Sequence, residues 1–569
     1  MSLILDMKRG FEAFEELERF ITAELVCRGH PGSSVAVVME GEVVWSKGFG
    51  YADAENRIQA TPGTVYRCAS VTKPVVTFGF LQLMERGSFS LEDPVDMYLD
   101  VELRNPFERR PTIRDLLTHY SGMPTRVPPL FRRPEEALRL RDYIAKAARV
   151  VKPPREVWAY CNTAYAIVGY LIELFSGKPY DVYVKDHVLR PLEMNMSGFD
   201  PTPEMEASLA TGYGRDGGAD KPLERVDRYI IGTRPEDPAG SLYSTAIDLS
   251  HFLISNINNG LYKGRRLLEE ETVEEMHRLQ RSAGNSRSGM ALTWFRSIHS
   301  GHVMLSHTGG LPGFTNHIAF YKDLDIGVCW LSNLNDGSGW RPPAPTALRI
   351  ISGEPAHVNP KSFQRIPEGW RGLIGTYGEV GQKVEVRVEN GYLLLDMMGG
   401  RAFLEELGEG RYIVHGTRYD GYELTFEFDE EGRTRQFDIE NMIFYRPVEE
   451  VRAVKRDVDL KGLWKGEYVH TYGFYPIELE VLDALRGSAS DMVGMRHPLE
   501  DFRAENGAVK GRYRFKPPEE YALWGAGEFT VELDLYTVED DKMRGKITFT
   551  PRRAIGRYIT EVELMKIRS

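Results

Sequence analysis

The chain has 569 residues, of which 42% are hydrophobic and 27% are charged, and its formal net charge is -12. This composition is that of a folded globular protein and excludes a disordered or collagen-like chain. Because phosphate binding needs a concentrated basic field, the acidic balance also argues against a nucleic-acid-binding protein. At roughly 150 residues per domain, the length predicts three or four domains.

The N-terminal segment predicts a soluble, cytoplasmic protein. Charges at Asp6, Lys8 and Arg9 interrupt it, so it lacks the apolar core of a signal peptide. No stretch approaches the roughly 20 apolar residues of a membrane span. The four cysteines lack metal-ligand spacing and are expected to be reduced thiols. No motif predicts a metal site or a cofactor.

The first 355 residues predict one domain that mixes helices and strands. Apolar residues at helical spacing predict a helix over residues 11–26, and a hairpin follows around the Glu40-Gly41 turn. Residues 70–290 are rich in helical patterns that often end at glycine. Strand patterns return from residue 303. Strands at both ends with helices between them predict a sheet that takes strands from both ends of the domain.

The remaining residues predict two β-domains, 356–452 and 453–569. A proline-bearing polar stretch follows residue 354 and is typical of a linker. Short alternating runs bounded by Gly, Asn or Asp then predict antiparallel strands in small barrels or sandwiches. The run Gly372–Tyr377 resembles Gly462–Tyr468, which indicates a duplicated unit.

The first chemical motif is Ser70-x-x-Lys73, placed just before an apolar helix. Side chains three residues apart lie on one face of a helix, so Lys73 can reach the Ser70 hydroxyl. Serine is a weak nucleophile without a base, and a lysine can serve as that base when it is neutral. A four-residue pattern of this kind is also common at ordinary helix starts.

Two further motifs contain residues that suit acyl transfer. Tyr160 and Asn162 precede a helix, where Tyr160 could accept a proton and Asn162 could bind a substrate amide. His307, Thr308, Gly309 and Gly310 end a strand, where glycines allow a substrate backbone to approach and an exposed N–H can complete an oxyanion hole. Each motif alone is also compatible with capping, packing or a structural histidine.

Together, the order SxxK, YxN and HTG resembles the serine β-lactamase and penicillin-binding-protein superfamily, in its class C branch. The segments TIRDLLTHYSGMP and EDPAGSLYSTAIDLSHFL also resemble segments of that branch, and the resemblance covers about residues 30–340. It implies an antiparallel sheet flanked by helices, an all-helical region and a serine hydrolase activity.

The resemblance also implies a role for each matching residue. Ser70 would be the acylated nucleophile, and either Lys73 or Tyr160 would be its general base. Asn162 would bind the acyl-side amide, and the N–H groups of Ser70 and Gly310 would form the oxyanion hole. His307 stands where lactamases carry a lysine, which argues against a dedicated β-lactamase because histidine is mostly neutral near pH 7.

The two C-terminal β-domains make the arrangement similar to that of D-aminopeptidases, whose barrels are lipocalin-like. That resemblance implies a D-aminopeptidase or another D-amino-acid-specific peptidase, with a carboxylesterase similar to family VIII as the alternative and β-lactamase activity at most a side reaction. A non-catalytic binding protein with the same fold is the alternative from another class. Small peptides, amides or esters are the expected substrates, and a homo-oligomer is possible.

In D-aminopeptidases a loop of the last barrel enters the active site. The corresponding candidate here is the loop 485–501, in which Asp491 would bind a substrate ammonium. An ordinary surface hairpin loop is the alternative for this segment.

Overall fold

A computed structural model describes most of the chain. The described residues are 2–123, 139–215, 222–226, 237–282, 287–335, 341–354, 363, 366–378, 384–397, 400–430, 432–440, 442–446, 458–470, 473–490, 496–515, 529–539, 541–551 and 558–568. Both predicted domain boundaries, at 355 and 452, lie outside these residues and stay predictions.

Eleven α-helices are described, all within the first 355 residues. They are α1 (Ser2–Arg28), α2 (Thr72–Glu85), α3 (Ile113–Leu117), α4 (Leu140–Ala147), α5 (Asn162–Ser176), α6 (Tyr180–Val184), α7 (Pro203–Ala207), α8 (Asp237–Gly240), α9 (Ala246–Ile257), α10 (Glu270–His277) and α11 (Ala344–Ile351). The predicted helix-rich region is therefore confirmed.

Fifteen strands precede residue 355 in the described chain. They are β1 (Gly32–Met39), β2 (Glu42–Asp53), β3 (Ile58–Gln59), β4 (Tyr66–Arg67), β5 (Tyr213–Gly214), β6 (Glu224–Arg225), β7 (Tyr243–Ser244), β8 (Leu261–Tyr262), β9 (Arg265–Arg266), β10 (Arg281–Ser282), β11 (Gly289–Met290), β12 (Phe295–His299), β13 (His302–Leu311), β14 (Phe314–Tyr321) and β15 (Ile326–Ser332). Nine of them form one antiparallel sheet in the order β10-β11-β12-β13-β14-β15-β1-β2-β3. The sheet thus takes strands from both ends of the segment, as predicted.

Strand β1 shows why the sheet lies at the centre of this domain. Its residues are almost all buried, because side chains alternate between two covered faces. Ala36 and Val38 pack into a cluster with α2, α5 and α9. Val35 and Val37 pack into a cluster with α1 and α11 on the other face. The helices α2 and α5, which bear the chemical motifs, therefore share one face of the sheet.

The next β-domain is an eight-stranded antiparallel sheet with its strands in chain order. They are β16 (Gly375–Tyr377), β17 (Val384–Glu389), β18 (Tyr392–Met397), β19 (Gly400–Gly408), β20 (Arg411–His415), β21 (Glu423–Phe428), β22 (Thr434–Ile439) and β23 (Met442–Tyr445). The Arg446 guanidinium donates to the carbonyls of Gly372 and Ile374, so this side chain joins the two edge strands of a nearly closed barrel.

The last β-domain is a nine-stranded antiparallel sheet in the order β27-β26-β25-β24-β32-β31-β30-β29-β28. The strands are β24 (Gly462–His470), β25 (Gly473–Asp483), β26 (Arg486–Ser490), β27 (Arg496–Pro498), β28 (Glu500–Glu505), β29 (Ala508–Phe515), β30 (Phe529–Glu539), β31 (Lys542–Pro551) and β32 (Tyr558–Arg568). Its edge strands β27 and β28 are consecutive in sequence, so this barrel is nearly closed as well. The prediction of two antiparallel barrels is confirmed.

The first barrel is docked firmly on the α/β domain. The Arg349 guanidinium, only 1% exposed, lies 2.5 Å from an Asp420 carboxylate oxygen. The His299 ring contacts the Asp420 carbonyl through Nε2 at 2.9 Å, and the Ser300 N–H donates to the Gly421 carbonyl at 2.8 Å. The interior of this barrel also belongs to the apolar cluster beneath α1 and α11. The barrel thus contacts and stabilises the β12–β13 hairpin. The second strand of this hairpin contains His307.

Two smaller expectations can be compared with the structure. All four cysteines are free thiols, and only Cys27 is exposed. No helix among the described residues is long and apolar enough to cross a membrane.

Candidate active site

Ser70 lies in a single 3₁₀ turn, Ala69–Val71, directly before α2. The Thr72 hydroxyl fixes this turn, because it donates to the Ala69 carbonyl at 2.6 Å and accepts from the Leu242 N–H at 3.0 Å. Ala69 has a φ of +50°, a conformation that non-glycine residues rarely adopt. The predicted position of Ser70 at a helix N-terminus is therefore close to the observed one.

Glycine at position 309 allows the strand β13 to approach this turn. A Cβ atom on Gly309 would lie 2.1 Å from the Cys68 carbonyl oxygen, a distance that real Cβ contacts do not show. Any side chain would therefore push β13 away from the turn that contains Ser70. Gly310, the next residue, is exposed, and a Cβ atom there would meet Asn335 Nδ2 at 3.8 Å, an ordinary van der Waals distance.

Lys73 is completely buried beside Ser70. Its Nζ lies 3.2 Å from Ser70 Oγ, 2.9 Å from Asn162 Oδ1 and 2.9 Å from the Ala239 carbonyl oxygen. The first two distances bring together two motifs that are 89 residues apart in sequence. A lysine ammonium has three donors, so these three acceptors fix the position of the Nζ atom.

The ring of Tyr160 covers the same lysine. Lys73 Nζ is 4.7 Å from the centroid of the Tyr160 ring and 5.2 Å from that of Tyr165. Tyr160 is half-buried, as are Ser70 and Asn162, whereas Lys73 is inaccessible. The half-buried serine, tyrosine and asparagine therefore surround one buried nitrogen.

His307 lies on the other side of Tyr160, with 6.5 Å between the ring centroids. Its Nδ1 lies 2.7 Å from the Thr308 carbonyl oxygen and must donate to it, so the buried Nε2 holds a lone pair. Among the described residues Nε2 has no hydrogen-bond partner. Burial and the nearby Lys73 charge lower the pKa of His307 to about 3. The imidazole is therefore neutral at physiological pH and cannot replace a lysine as a cation.

The edge of β13 is open beside these side chains. Strand β12 pairs with β13 only as far as Phe295 and Ser306, whereas β14 follows it to Leu311. In the described part of the chain, the segment 307–311 has no strand on its second edge. An extended substrate could form main-chain hydrogen bonds at this edge.

One residue next to the site was missed by the sequence analysis. His119 is fully buried, and its ring centroid is 4.3 Å from that of Tyr160. Its Nδ1 accepts the Cys161 N–H at 3.1 Å. His119 lies in the TIRDLLTHYSGMP segment, but no pattern in the sequence indicates that this segment contacts Tyr160.

Much of the segment predicted as the loop 485–501 forms strands. Strands β26 and β27 occupy residues 486–490 and 496–498, and Asp491 lies outside the described residues. The position of Asp491 relative to Ser70 therefore stays a prediction. Among the residues described, no group of three or more His, Cys, Asp or Glu side chains is placed to hold a metal ion.

Comparisons with known proteins agree with this geometry. The family model described as "Beta-lactamase" matches residues 17–351. The chain is 30% identical over 311 residues to the candidate penicillin-binding protein PbpX of Bacillus subtilis (strain 168), a match that covers 54% of this chain and 72% of PbpX. It is 27% identical over 317 residues to protein flp of Staphylococcus aureus (strain MW2), covering 54% of this chain and only 61% of flp.

A solved structure extends the similarity. The octameric penicillin-binding protein homologue from Pyrococcus abyssi superposes with a TM-score of 0.53 at 26% sequence identity, covering 76% of this chain and 100% of that chain. This share of the chain exceeds the stretch matched by the family model, so the likeness extends into the β-rich residues that follow it.

Proposed function

The chain belongs to the Beta-lactamase family, within the superfamily of serine β-lactamases and penicillin-binding proteins, and from this premise we propose that it hydrolyses small amides or esters through an acyl-Ser70 intermediate. One observation carries the proposal most directly. Lys73 Nζ lies 3.2 Å from Ser70 Oγ and is held there by Asn162 and the Ala239 carbonyl. A nucleophile with a positioned base beside it is the requirement of covalent acyl transfer.

In the proposed acylation step, Ser70 Oγ forms a bond to the carbonyl carbon of the substrate. With Lys73 in its neutral amine form, the proton passes to this amine, directly or through Tyr160, and returns to the leaving amine or alcohol as the scissile bond breaks. The N–H groups of Ser70 and Gly310 stabilise the oxyanion, an interaction worth about 3–4 kcal/mol per donor in such sites. Water then attacks the acyl carbon, the same groups pass its proton to Ser70 Oγ as the Oγ–C bond breaks, and the carboxylic acid product leaves.

The neutral His307 and the open edge of β13 support the proposed substrate class. Without a cation at position 307, a substrate carboxylate gains little there, which disfavours a dedicated β-lactamase. The edge of β13 suits a peptide backbone, and Asn162 suits an amide. We therefore propose a D-aminopeptidase or a related D-amino-acid-specific peptidase, with a carboxylesterase as the second candidate because the same nucleophile and base can also act on acyl esters.

A direct experiment separates these activities. Hydrolysis of D-alanine p-nitroanilide would be compared with hydrolysis of p-nitrophenyl butyrate, for the wild type and for Ser70→Ala. We expect Ser70→Ala to abolish both reactions, and a faster reaction of the anilide to identify the peptidase. Activity that survives Ser70→Ala would refute the acyl-enzyme mechanism. A wild type inactive on both substrates and unlabelled by a fluorophosphonate would favour a binding protein.

We also propose that the chain self-associates. The Pyrococcus abyssi homologue is octameric, and its whole length is matched by this chain. Light scattering after size-exclusion chromatography measures the mass directly. A single species at the 64.7 kDa of the monomer would contradict the proposal.

A further inference from the structure

His119 has an unusual backbone for a histidine. It follows α3 with a φ of +62°, in the left-handed region that disfavours residues with a Cβ. Its side chain is completely buried. Strained residues of this kind persist only where the surrounding structure holds them, and they are frequent at functional sites.

His119 accepts hydrogen bonds from the residues directly before and directly after Tyr160. The His119 carbonyl accepts the Ala159 N–H at 2.9 Å, and Nδ1 accepts the Cys161 N–H at 3.1 Å. Between these two bonds the Tyr160 ring packs on the imidazole with an interplanar angle of 34°. One residue therefore fixes the main chain before and after Tyr160 as well as the face of its ring.

The second of these bonds also reaches Asn162. Cys161 lies between Tyr160 and Asn162, and both of its neighbours contact the Lys73 Nζ atom. A shift of the Cys161 main chain would therefore move two of the groups that surround Lys73 at once. His119 accepts this N–H from a left-handed backbone conformation.

The protonation state of His119 suits this role. Nδ1 accepts an N–H, so it carries a lone pair and the ring proton resides on Nε2. Nε2 is buried without a hydrogen-bond partner among the described residues, so the imidazole is more costly to bury here than an apolar side chain would be. Burial, together with the charge of Lys73 and the proximity of His307, holds the pKa of His119 well below its usual value. The acceptor is therefore retained throughout the neutral range.

We infer that His119 is a positioning residue for the proposed acylation, because its Nδ1 and carbonyl hold the Ala159–Cys161 segment so that Tyr160 and Asn162 stay against Lys73. The inference rests on the proposed function. It assigns His119 no contact with the substrate. Misplacement of catalytic groups by about 1 Å costs roughly 100-fold in rate, which sets the size of the expected effect.

Three variants separate positioning from packing. His119→Leu removes the acceptor, His119→Gln moves it to the place of Nε2, and His119→Asn keeps an acceptor near the place of Nδ1 and tolerates a positive φ. We expect kcat on p-nitrophenyl butyrate or D-alanine p-nitroanilide to fall about 100-fold in the first two variants with KM nearly unchanged. In His119→Asn we expect recovery to within about 10-fold of the wild type.

A matched control comes from His277, which is also buried with one bonded and one unpartnered nitrogen. His277→Leu makes the same substitution at a buried site remote in sequence from Tyr160, where it removes a donor to Asn256 Oδ1. Its kcat should match that of the wild type at a temperature where both variants are folded by circular dichroism. An equal loss of kcat in His277→Leu, or a His119→Asn variant as slow as His119→Gln, would overturn the inference.

The same measurements distinguish a failure of the proposed function. If the wild type does not turn over either substrate, the proposed function and the inference both fall. If the wild type is active and Ser70→Ala is not, the function stands, and a His119→Gln variant with kcat within threefold of the wild type refutes the positioning role alone. Glutamine is polar and similar in size to histidine. The test therefore remains decisive even if His119→Leu does not fold.

Discussion

Lys73 Nζ lies 3.2 Å from Ser70 Oγ, while the Tyr160 ring is 4.7 Å from the same nitrogen. The serine and the tyrosine thus contact the same buried nitrogen. The first prediction concerns this lysine. Lys73→Met keeps the length of the side chain and removes the nitrogen, so we expect the acylation rate to fall about 10³-fold or more in a folded protein. The release of p-nitrophenol in the pre-steady state measures this rate.

Lys178→Met is the matched control for that experiment, since Lys178 is about half exposed and pairs with Asp186 on the surface. Its acylation rate should equal that of the wild type. A Lys73→Met variant that acylates at the wild-type rate would contradict a role for Lys73 in proton transfer.

The close approach of β13 to the Ser70 turn leads to a second prediction. Gly309→Ala places a Cβ 2.1 Å from the Cys68 carbonyl oxygen, so the strand or the turn must move. We expect a loss of about 1–3 kcal/mol in the free energy of unfolding, as for overpacked cores. Thermal or urea unfolding gives the value. A Cβ on Gly310 would lie 3.8 Å from Asn335 Nδ2, an ordinary contact, so Gly310→Ala should leave the stability unchanged. Equal stabilities for the two variants would contradict the prediction.

Buried histidines lead to a third prediction, on acid stability. Burial lowers the pKa of His299 and His307 to about 3 and that of His317 to about 4, from an unfolded value near 6.5. Between these values the unfolded chain binds more protons than the folded one, so stability is fully present above pH 6.5 and is lost as the pH falls. Each histidine contributes a slope of up to about 1.4 kcal/mol per pH unit.

Urea unfolding at pH 7 and pH 5 measures this slope. The wild type should be less stable at pH 5, and His317→Gln should reduce the difference between the two conditions. A free energy of unfolding that is the same at both pH values would show that these imidazoles are not buried in their neutral form.

The docking of the first barrel leads to a fourth prediction. Arg349→Met leaves the carboxylate of Asp420 without its partner in a largely buried position. We expect a destabilisation of about 3–5 kcal/mol, the cost of removing one member of a buried ion pair. Arg433→Met breaks the pair with Asp429, in which the arginine is 70% exposed. This control should change stability by no more than about 1 kcal/mol, and equal effects in calorimetry would contradict the role assigned to Arg349.

The final prediction tests whether Asp491 selects substrates. If its carboxylate binds a substrate ammonium, Asp491→Asn should lower the ratio of kcat/KM for D-alanine p-nitroanilide to that for its N-acetyl form about 10-fold. Asp483→Asn, in the turn where Asp483 pairs with Arg486, is the control. An unchanged ratio in Asp491→Asn would contradict substrate binding by Asp491 and favour the alternative of an ordinary surface loop.

The sequence by itself determined which elements form and which residues carry the chemical groups. The apolar runs on either side of the Glu40-Gly41 turn and the helical spacing in α1 are local patterns, and they predicted these elements correctly. The Ser70-x-x-Lys73 spacing placed lysine and serine together because both lie within one helical turn. The strand patterns after residue 370 predicted the two barrels, since alternation and turn residues are also local signals.

Only the tertiary structure decided how distant segments meet. Lys73 and Asn162 are 89 residues apart, and the Cys68 carbonyl meets Gly309 across most of the domain. The role of His119 depends on its positive φ and on the approach of the Cys161 N–H, neither of which a one-dimensional pattern records. The neutral state of His307 has the same origin, because burial and the charge of Lys73 act through space. The folded environment determines the proton affinity of each group and the positions of distant side chains. The sequence determines residue type and local periodicity.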